Sequence, residues 1–409
     1  MVLFEDALKI VLSQDFKPGV ERVALSEACG RILAGDIFSD MDMPPFDKSA
    51  VDGYACQMTT GTSQGITPSI DRAQIIAVPN EKPLLVVETI SAGTIPKQAI
   101  VPGRCSKIMT GAMVPRGADC VIMVEDTESA GENLVRFTLE NTAKNICYQG
   151  EDIRKGELVL QKGIRITPAH MAVLASVGAT DPLVSTLPRV GIFSTGDELV
   201  EPGTIPGIAQ IRNSNASQLE AQVRQVPALP TYYGIAPDKS EELYKIIDLA
   251  LANNDLVILT GGVSMGDFDF VPAVMKDAGV DIFFKRIAIQ PGKPTVFGRR
   301  DHTFIFGLPG NPVSSFVIFE MLVKPLLHLM MGSSWKPLEC MLPLGVDFSR
   351  HSSARKSMVP VIMKDGVVFP VEYHGSAHIN AYSVANGIMN VPIGTTTLKQ
   401  GEQVHVRLL

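Results

Sequence analysis

One thirteen-residue stretch, Leu259 to Val271 (LTGGVSMGDFDFV), restricts the fold of this chain more than any other. It follows an apolar run that begins at Leu256, and an apolar helical pattern ended by Gly279 comes after it. The order is therefore strand, glycine turn, helix. Backbone N–H groups beside a helix N-terminus favour a bound phosphate. Asp267 and Asp269, at the helix entrance, suit a bridging cation such as Mg2+, but an ordinary turn capped by Asp269 is the alternative.

The same order of elements recurs from Arg189 onward. Apolar runs predict strands at 190–193, 229–235, 256–259, 282–289 and 303–306. Helical patterns separate most of them, and Asp238 with Glu241 forms a predicted capping box for a helix ending near Ala252. Strands that alternate with helices imply a parallel sheet with right-handed crossovers. In such sheets, ligands bind at the carboxyl ends of the strands.

Four polar turns follow these predicted strands, and a parallel sheet would bring them to one rim. The turns comprise Ser194, Thr195, Gly196, Asp197 and Glu198; Gly261, Gly262, Val263 and Ser264; Pro291, Gly292, Lys293 and Pro294; and Pro309, Gly310, Asn311 and Pro312. Their glycines offer backbone donors, Lys293 offers a cation, and the acidic side chains offer metal ligands. This combination predicts a site for a phosphorylated, metal-bound ligand such as a nucleotide. Neither GxxxxGK[ST] nor GxGxxG occurs in these turns, which excludes a Walker-type ATPase and an ordinary dinucleotide enzyme.

Composition narrows the functional class further. The 409-residue chain predicts two to four domains. A formal net charge of −7 gives no basic footprint for nucleic acid. The six cysteines contain no CxxC pair and do not resemble a disulfide framework. Glu5 and Asp6 lie where a signal peptide would be basic, and Glu320 and Lys324 interrupt the most apolar helix, so a cytoplasmic protein without a membrane span is expected.

The first half of the chain differs in pattern from the second. An amphipathic helix at Leu3–Val11 precedes a dense polar loop, MPPFDKSAVDGYA, at Met43–Ala55. Short β-type runs between Gln57 and Asn145 predict an inserted β domain. Within it, Thr110 is either a ligand-binding residue or simply a turn residue. Short strands and turns after Trp335 predict another small β domain.

Seven motifs, taken in order, identify a family. They are MPPFDKSAVDGYA, KIMTGAMVPRGAD, GED, STGDEL, TGGVSMGDFD, PGKP and GLPGNPVSS. Together they closely resemble the molybdopterin molybdenumtransferase family, which includes the E domain of gephyrin. The resemblance implies a multidomain α/β plus β fold. Its parts are a segmented N-terminal helical domain (1–43 and 146–185), an inserted β domain (44–145), a three-layer molybdopterin-binding α/β domain (186–332) and a C-terminal β barrel (333–409).

The resemblance also implies an activity. Family members insert molybdenum from molybdate into adenylylated molybdopterin and release AMP with Mg2+. They work as homodimers, and a molybdopterin adenylyltransferase, molybdenum cofactor carriers or recipient enzymes are further partners that such an enzyme could meet. Carried over by motif, the catalytic positions are Asp52, Thr110, Glu198, Asp238, Asp269 and Lys293. Gln290 departs from the family, because many members have lysine there; Lys285 or Arg286 could supply the missing charge.

Each carried-over position has a physical role that the reaction needs. The amides at Gly261–Gly262 and Gly310–Asn311 would form an oxyanion cradle, and the remaining turn residues would bind the pterin nucleotide. Asp238, Asp267 and Asp269 are the predicted metal ligands. Lys293 and Ser314 are the predicted molybdate donors. By the resemblance, Asp52 and Thr110 would reach the site from the partner subunit.

Two other functions fit the same residues. One is a scaffold or binding protein that keeps the fold without the chemistry, as the clustering role of gephyrin illustrates. The other is a hydrolase of adenylylated compounds on the same α/β fold. The retained carboxylates and Lys293 favour the insertion enzyme over a catalytically retired scaffold.

Overall fold

The protein is described from a computed structural model. The structure describes residues 1–58, 76–77, 82–263, 271–372, 375 and 377–409, with only the backbone given at 76–77. The chain divides into two compact units, one formed by 1–35, 162–171 and 181–409, the other by 36–161 and 172–180. The helices of the described chain are α1 (Phe4–Leu12), α2 (Leu25–Ala28), α3 (Pro168–Ser176), α4 (Ser214–Gln225), α5 (Ser240–Asn253), α6 (Val271–Asp277), α7 (Pro312–Ile318) and α8 (Lys324–Met330). The four-domain boundaries given above stay a prediction.

A six-stranded sheet forms the centre of the first unit. In chain order its strands are β1 (Arg189–Thr195), β2 (Leu229–Ala236), β3 (Leu256–Thr260), β4 (Asp281–Phe284), β5 (Val296–Arg300) and β6 (Thr303–Leu308). They lie side by side in the order β2-β1-β3-β6-β5-β4. The first four are parallel, as the sequence predicts. β5 runs antiparallel to both of its neighbours, β6 and β4, so β4 points in the same direction as the four parallel strands. The turn between β5 and β6 is far too short for a parallel crossover.

The predicted strand at 282–289 is wrong as a single element. Its first part is the edge strand β4, whereas Ile289–Gln290 forms a separate strand that pairs with Lys356–Lys364 in a different sheet. The apolar run is therefore shared between two sheets. Periodicity alone does not reveal such a change of partner.

Alternating side chains of the central strands enter two apolar cores. Leu256 and Ile258 of β3 pack in the core formed with α1, α4, α7 and α8. Val257 and Leu259 pack in the core formed with α5 and α6. Because successive side chains of a strand point to opposite faces, this alternation produces a helix–sheet–helix sandwich. The predicted three-layer α/β domain is confirmed.

The long apolar helix carries an irregular turn. α7 and α8 flank a π-helical segment at Phe319–Val323. Pro325 is the second residue of α8. It lacks an N–H group and cannot continue the regular hydrogen-bond ladder, so a widened turn is expected before it. The helical stretch Pro312–Met330 is long and apolar enough to cross a membrane, judged by length and composition alone. However, 83% of its most apolar 18-residue segment is buried inside the fold.

The remaining part of the first unit is rich in strands. A mainly antiparallel sheet joins Ile289–Gln290, Lys356–Lys364, Gly387–Val391, Gln403–Leu408 and Glu339–Pro343, and Val367–Pro370 pairs with the second of these. Three pairs of short strands, each two or three residues long, also belong to this unit. They are Val20–Arg22 with Leu183–Ser185, Leu199–Val200 with Ile211–Arg212, and Phe348–Ser349 with Thr397–Leu398. The small C-terminal β domain predicted from its short strands is thus present, and its closure into a β barrel stays a prediction.

The second unit is built on its own six-stranded sheet. The strands lie in the order Cys120–Met123, Gly53–Cys56, Arg104–Ile108, Leu84–Ile90, Leu134–Phe137 and Thr127–Gly131. Three short pairs are added, namely Lys48–Ser49 with Ile146–Cys147, Ile76–Ala77 with Asn141–Thr142, and Ile37–Phe38 with Leu158–Leu160. The second unit is therefore built mainly of β-strands, as predicted for the inserted β domain.

Candidate active site

The carboxyl ends of the parallel strands surround a cavity of about 450 Å³ in the first unit. The described residues that line it are Thr195, Gly196, Glu198, Leu199, Ile211, Asn215, Asp238, Thr260, Gly261, Gly262, Val263, Pro294, Pro309, Gly310 and Asn311. All four predicted turns are represented, so they meet along one rim as the sequence predicts. Ser264, Asp267 and Asp269 lie outside the described residues.

Glycine at 261 and 262 is required by the backbone. Both residues have positive φ, 98° and 60°. A Cβ on Gly261 would lie 2.2 Å from the carbonyl oxygen of Thr195, and one on Gly262 would lie 2.8 Å from Val271. Only a residue without a side chain permits the turns after β1 and β3 to approach this closely. The Gly-Gly pair therefore contributes bare backbone to the cavity lining.

Two turns are tied together through Asp238. The Thr195 hydroxyl donates to Asp238 Oδ1 at 2.5 Å, and the Asp238 N–H donates to Asp197 Oδ1 at 3.2 Å. The predicted capping box at Asp238 is wrong: α5 has Lys239 at its N-cap, without a side-chain cap hydrogen bond. The Asp238 carboxylate instead bonds Thr195 in the turn after β1 and lines the cavity, where its charge is available to a ligand.

Glu198 is the second carboxylate of the cavity lining. It is exposed, and its Oε2 lies 2.5 Å from the position that a Cβ on Gly196 would occupy. The chain around it is fixed, since the Glu198 carbonyl accepts a hydrogen bond from the N–H of Ile211 at 2.8 Å. Among the described lining residues there are two carboxylates and no lysine or arginine. The cavity surface is therefore acidic in its side chains.

The two predicted molybdate donors, Lys293 and Ser314, are placed in the turn before β5 and in α7. Lys293 is half-buried; its backbone carbonyl accepts from the N–H groups of Ile287 and Thr295, which fixes the turn. Its neighbour Pro294 lines the cavity, whereas Lys293 and Ser314 do not belong to the described lining. Ser314 is only 3% exposed in the first turn of α7.

The other residues of these two turns shape the backbone. Pro291 and Gly292 are buried, and a Cβ on Gly292 would lie 2.5 Å from Ile318. Pro309 lines the cavity, and Pro312 opens α7 at a position where its missing N–H costs nothing.

A buried amide and hydroxyl cluster lies next to the cavity. It includes the predicted residue Ser194, which is fully buried and outside the described lining, and sequence reasoning missed its partners Asn213 and Tyr232. Ser194 donates to Asn213 Oδ1 at 3.0 Å and shares a hydrogen bond of 3.0 Å with the Thr260 hydroxyl. Asn213 Nδ2 donates to the Tyr232 hydroxyl at 2.9 Å. Burial and a hydrogen bond to Glu201 raise the pKa of Tyr232. The RNSNA sequence gave no distinctive signal, because Asn before a helix is an ordinary N-cap pattern.

The second unit brings two other predicted residues together. Asp52 Oδ1 accepts hydrogen bonds from the backbone N–H of Thr110 at 2.6 Å and from its hydroxyl at 2.8 Å. Both bonds lower the pKa of Asp52, and the bond from the backbone N–H has the larger effect. The next residue, Gly53, lies close to the strand Cys120–Met123, since a Cβ there would lie 1.9 Å from the carbonyl oxygen of Ile122. Asp52 is therefore an exposed, preoriented carboxylate.

Comparison with known proteins agrees with this architecture. Three family models match consecutive parts of the chain: the MoeA N-terminal region (domain I and II) at 2–178, a probable molybdopterin binding domain at 191–329, and the MoeA C-terminal region (domain IV) at 342–409. A molybdopterin biosynthesis MoeA structure from Pyrococcus horikoshii is 29% identical, with a TM-score of 0.82 and all of both chains covered. The fold and cavity thus define a multidomain protein built around a molybdopterin-binding type of domain.

Curated relatives make the family specific. The molybdopterin molybdenumtransferase of Staphylococcus epidermidis is 34% identical over 411 residues, covering 99% of this chain and 94% of the relative. That of Bacillus subtilis is 33% identical over 415 residues, covering 99% and 93%. The chain belongs to the molybdopterin molybdenumtransferase family, a family of transferases in molybdenum cofactor biosynthesis.

Proposed function

We propose that this protein transfers molybdenum from molybdate to adenylylated molybdopterin and releases AMP in a Mg2+-dependent reaction. The observation that carries the proposal is the convergence of four polar turns on one cavity of about 450 Å³. Bare glycine backbone suits phosphate oxygens, and the cavity is large enough for part of a nucleotide-linked pterin. The name of the relatives, molybdopterin molybdenumtransferase, supports molybdopterin as the acceptor of molybdenum.

The charge of the cavity supports a need for Mg2+. A phosphate group would meet Glu198 and Asp238 there, with no basic side chain in the described lining. Carboxylates beside phosphates suit a shared hard cation, and Mg2+ is typically held by one or two carboxylates plus substrate oxygens. We assign Asp238, with Asp267 and Asp269, to hold it. Bound Mg2+ would neutralise charge on the phosphates.

Molybdate needs a donor set that tolerates a tetrahedral dianion. We assign Lys293 to this task, with Ser314 as a hydroxyl donor. Among the residues that the structure describes, the Lys293 ammonium has no hydrogen-bond or ion-pair partner, so its charge is not already neutralised by a neighbour. Lys293 follows two buried residues in a fixed turn, which limits the volume that its ammonium can reach.

The first test is AMP release by the full-length protein in the presence of adenylylated molybdopterin, molybdate and Mg2+. We expect release that falls to background without Mg2+. Asp238→Asn should lower the rate by about a hundredfold or more, because a charged ligand and its hydrogen bond with Thr195 are changed together. Asp281→Asn, an exposed aspartate on the edge strand β4, is the matched control and should leave the rate unchanged.

Two outcomes would contradict the proposal. A folded protein that releases no AMP under these conditions would be a binding protein of the same fold. AMP release that is equally fast from other adenylylated compounds would instead indicate a hydrolase.

We further propose that the enzyme works in the cytoplasm as a homodimer in which Asp52 and Thr110 serve the site of the partner subunit. A docked molybdopterin adenylyltransferase, or carriers and recipient molybdoenzymes, would supply the substrate and take the product. Two observations support the shared site. Asp52 is exposed and preoriented, and it belongs to the second unit, whereas the described cavity lining belongs wholly to the first unit.

Subunit mixing tests the shared site. Asp52→Ala and Glu198→Ala proteins, each inactive, are unfolded and refolded together. In a twofold dimer with shared sites, random pairing regenerates one intact site in half of the dimers, so about a quarter of wild-type activity should return. Activity that stays at background, with dimer exchange verified by mass, would contradict the shared site.

A further inference from the structure

Asn215 is the second residue of α4, is 8% exposed, and lies in the cavity lining. Its side-chain Nδ2 donates to the carbonyl oxygen of Gly310 at 2.7 Å, across from α4 to the turn after β6. The fully buried Ser315 hydroxyl lies 3.4 Å from Asn215 Oδ1 and 3.0 Å from the Pro312 carbonyl oxygen, and these two acceptors share its single hydrogen. The short bond at the donor end of the Asn215 amide directs that donor to Gly310.

The hydrogen bond from Asn215 matters because the peptide group after Gly310 could otherwise rotate. Glycine adopts backbone conformations that other residues avoid, so the peptide that follows Gly310 has little intrinsic preference. A peptide unit is planar, and rotating it moves its carbonyl oxygen and N–H together. If the Gly310 carbonyl turned into the cavity, its partial negative charge would oppose an anionic ligand. Hydrogen bonding to Asn215 keeps that oxygen occupied.

The surrounding contacts show that this turn is part of the cradle. A Cβ on Gly310 would lie 3.6 Å from the Cα of Gly261, so the turns after β3 and β6 are in contact here. The N–H of Gly261 also donates to the carbonyl of Leu308 at 3.1 Å. A change in the Gly310 peptide would therefore reach the Gly-Gly turn as well.

We propose that Asn215 is a positioning residue that keeps the Gly310 carbonyl oxygen away from the phosphate of the bound nucleotide. This inference rests on the proposed function, since it takes AMP as the product held at the cavity. It assigns to Asn215 an effect on the phosphate and none on the adenosine part of the ligand. A residue that only stabilised the fold would affect both parts alike.

The test measures binding of AMP and of adenosine to the full-length protein with Mg2+, by calorimetry and by competition. Asn215→Ala should weaken AMP binding about tenfold, as expected for loss of one buried hydrogen bond. Asn215→Asp, which keeps the shape but replaces the donor with a negative charge, should weaken it about a hundredfold. Adenosine affinity should stay unchanged in both variants.

The control is Asn253→Ala, which removes an exposed asparagine whose Nδ2 caps a carbonyl of α5 at Leu249. It should bind AMP as the wild type does. Equal losses of AMP and adenosine binding in Asn215→Asp, or none, would overturn the positioning role while leaving the proposed function intact. Wild-type protein that binds no AMP would contradict both.

Discussion

His328 provides a quantitative prediction about pH and stability. Its ring stacks on Trp335 with centroids 4.4 Å apart and an interplanar angle of 8°, and the residue is 5% exposed. Burial, followed by the positive charges of Lys324 and Arg165, lowers the pKa of His328 from 6.5 to about 4. The folded protein therefore holds His328 neutral at pH values where the unfolded chain would protonate it.

The direction and size of the effect follow from proton linkage. Because the pKa of His328 is lower in the folded state, the protein has its full free energy of unfolding above pH 6.5 and loses part of it as the pH falls toward 4. At pH 5, protonation of the unfolded chain alone should reduce the free energy of unfolding by about 2 kcal/mol relative to pH 7.5. The full loss below pH 4 would be about 3 kcal/mol.

The assay uses the single tryptophan of the chain, which is the partner of His328. Urea unfolding followed by Trp335 fluorescence at pH 7.5 and pH 5 gives the change in unfolding free energy for the wild type and for His328→Phe. Phenylalanine keeps an aromatic ring against Trp335 but cannot titrate. Other groups titrate equally in both proteins, so the wild type should lose about 2 kcal/mol more than the variant. Identical losses would refute the reasoning.

Three further predictions concern the candidate site. Thr110→Val should raise the pKa of Asp52 toward its usual value but not fully restore it, because the backbone N–H of residue 110 still donates; carboxylate titration by NMR measures this, and an unchanged pKa would contradict it. Gly261→Ala should cost about 3 kcal/mol of stability and abolish AMP binding, whereas Gly203→Ala, which has open space around it, should change neither; calorimetry and urea unfolding distinguish the two. Lys293→Met should raise the molybdate concentration needed for half-maximal rate by tenfold or more without changing AMP affinity, and an equal loss of both would remove Lys293 from a molybdate-specific role.

Much of the central sheet could be predicted from local pattern. Each parallel strand is a short, almost wholly apolar run followed by a polar turn, and both cores receive alternating residues of the same strand. Topology at the edge could not be predicted, because the run at 282–289 contains no sign that its two ends pair in different sheets. Pairing depends on long-range contacts that a local window does not contain.

The site could be predicted in outline but not in its internal bonding. Polar turns after strands indicated the rim, since parallel strands end at one edge. The partner of Asp238 was misassigned, because a local capping box and a bond to Thr195 are equally compatible with the sequence. Asn215 was overlooked for a similar reason: its acceptor, Gly310, is 95 residues away in the chain.

These hydrogen bonds explain how a cavity made of glycine turns can hold a defined shape. Bare backbone allows close approach to phosphate oxygens, but glycine also leaves the turns conformationally permissive. The restraint comes from neutral side chains beneath the rim: Ser194, Thr260 and Asn213 join the ends of β1 and β3 to the start of α4, and Asn215 extends the connection to the turn after β6. Because these restraining groups are uncharged, they fix the turns without adding to the negative charge of Glu198 and Asp238. In the proposed function, the charge of the phosphates is then balanced by Mg2+.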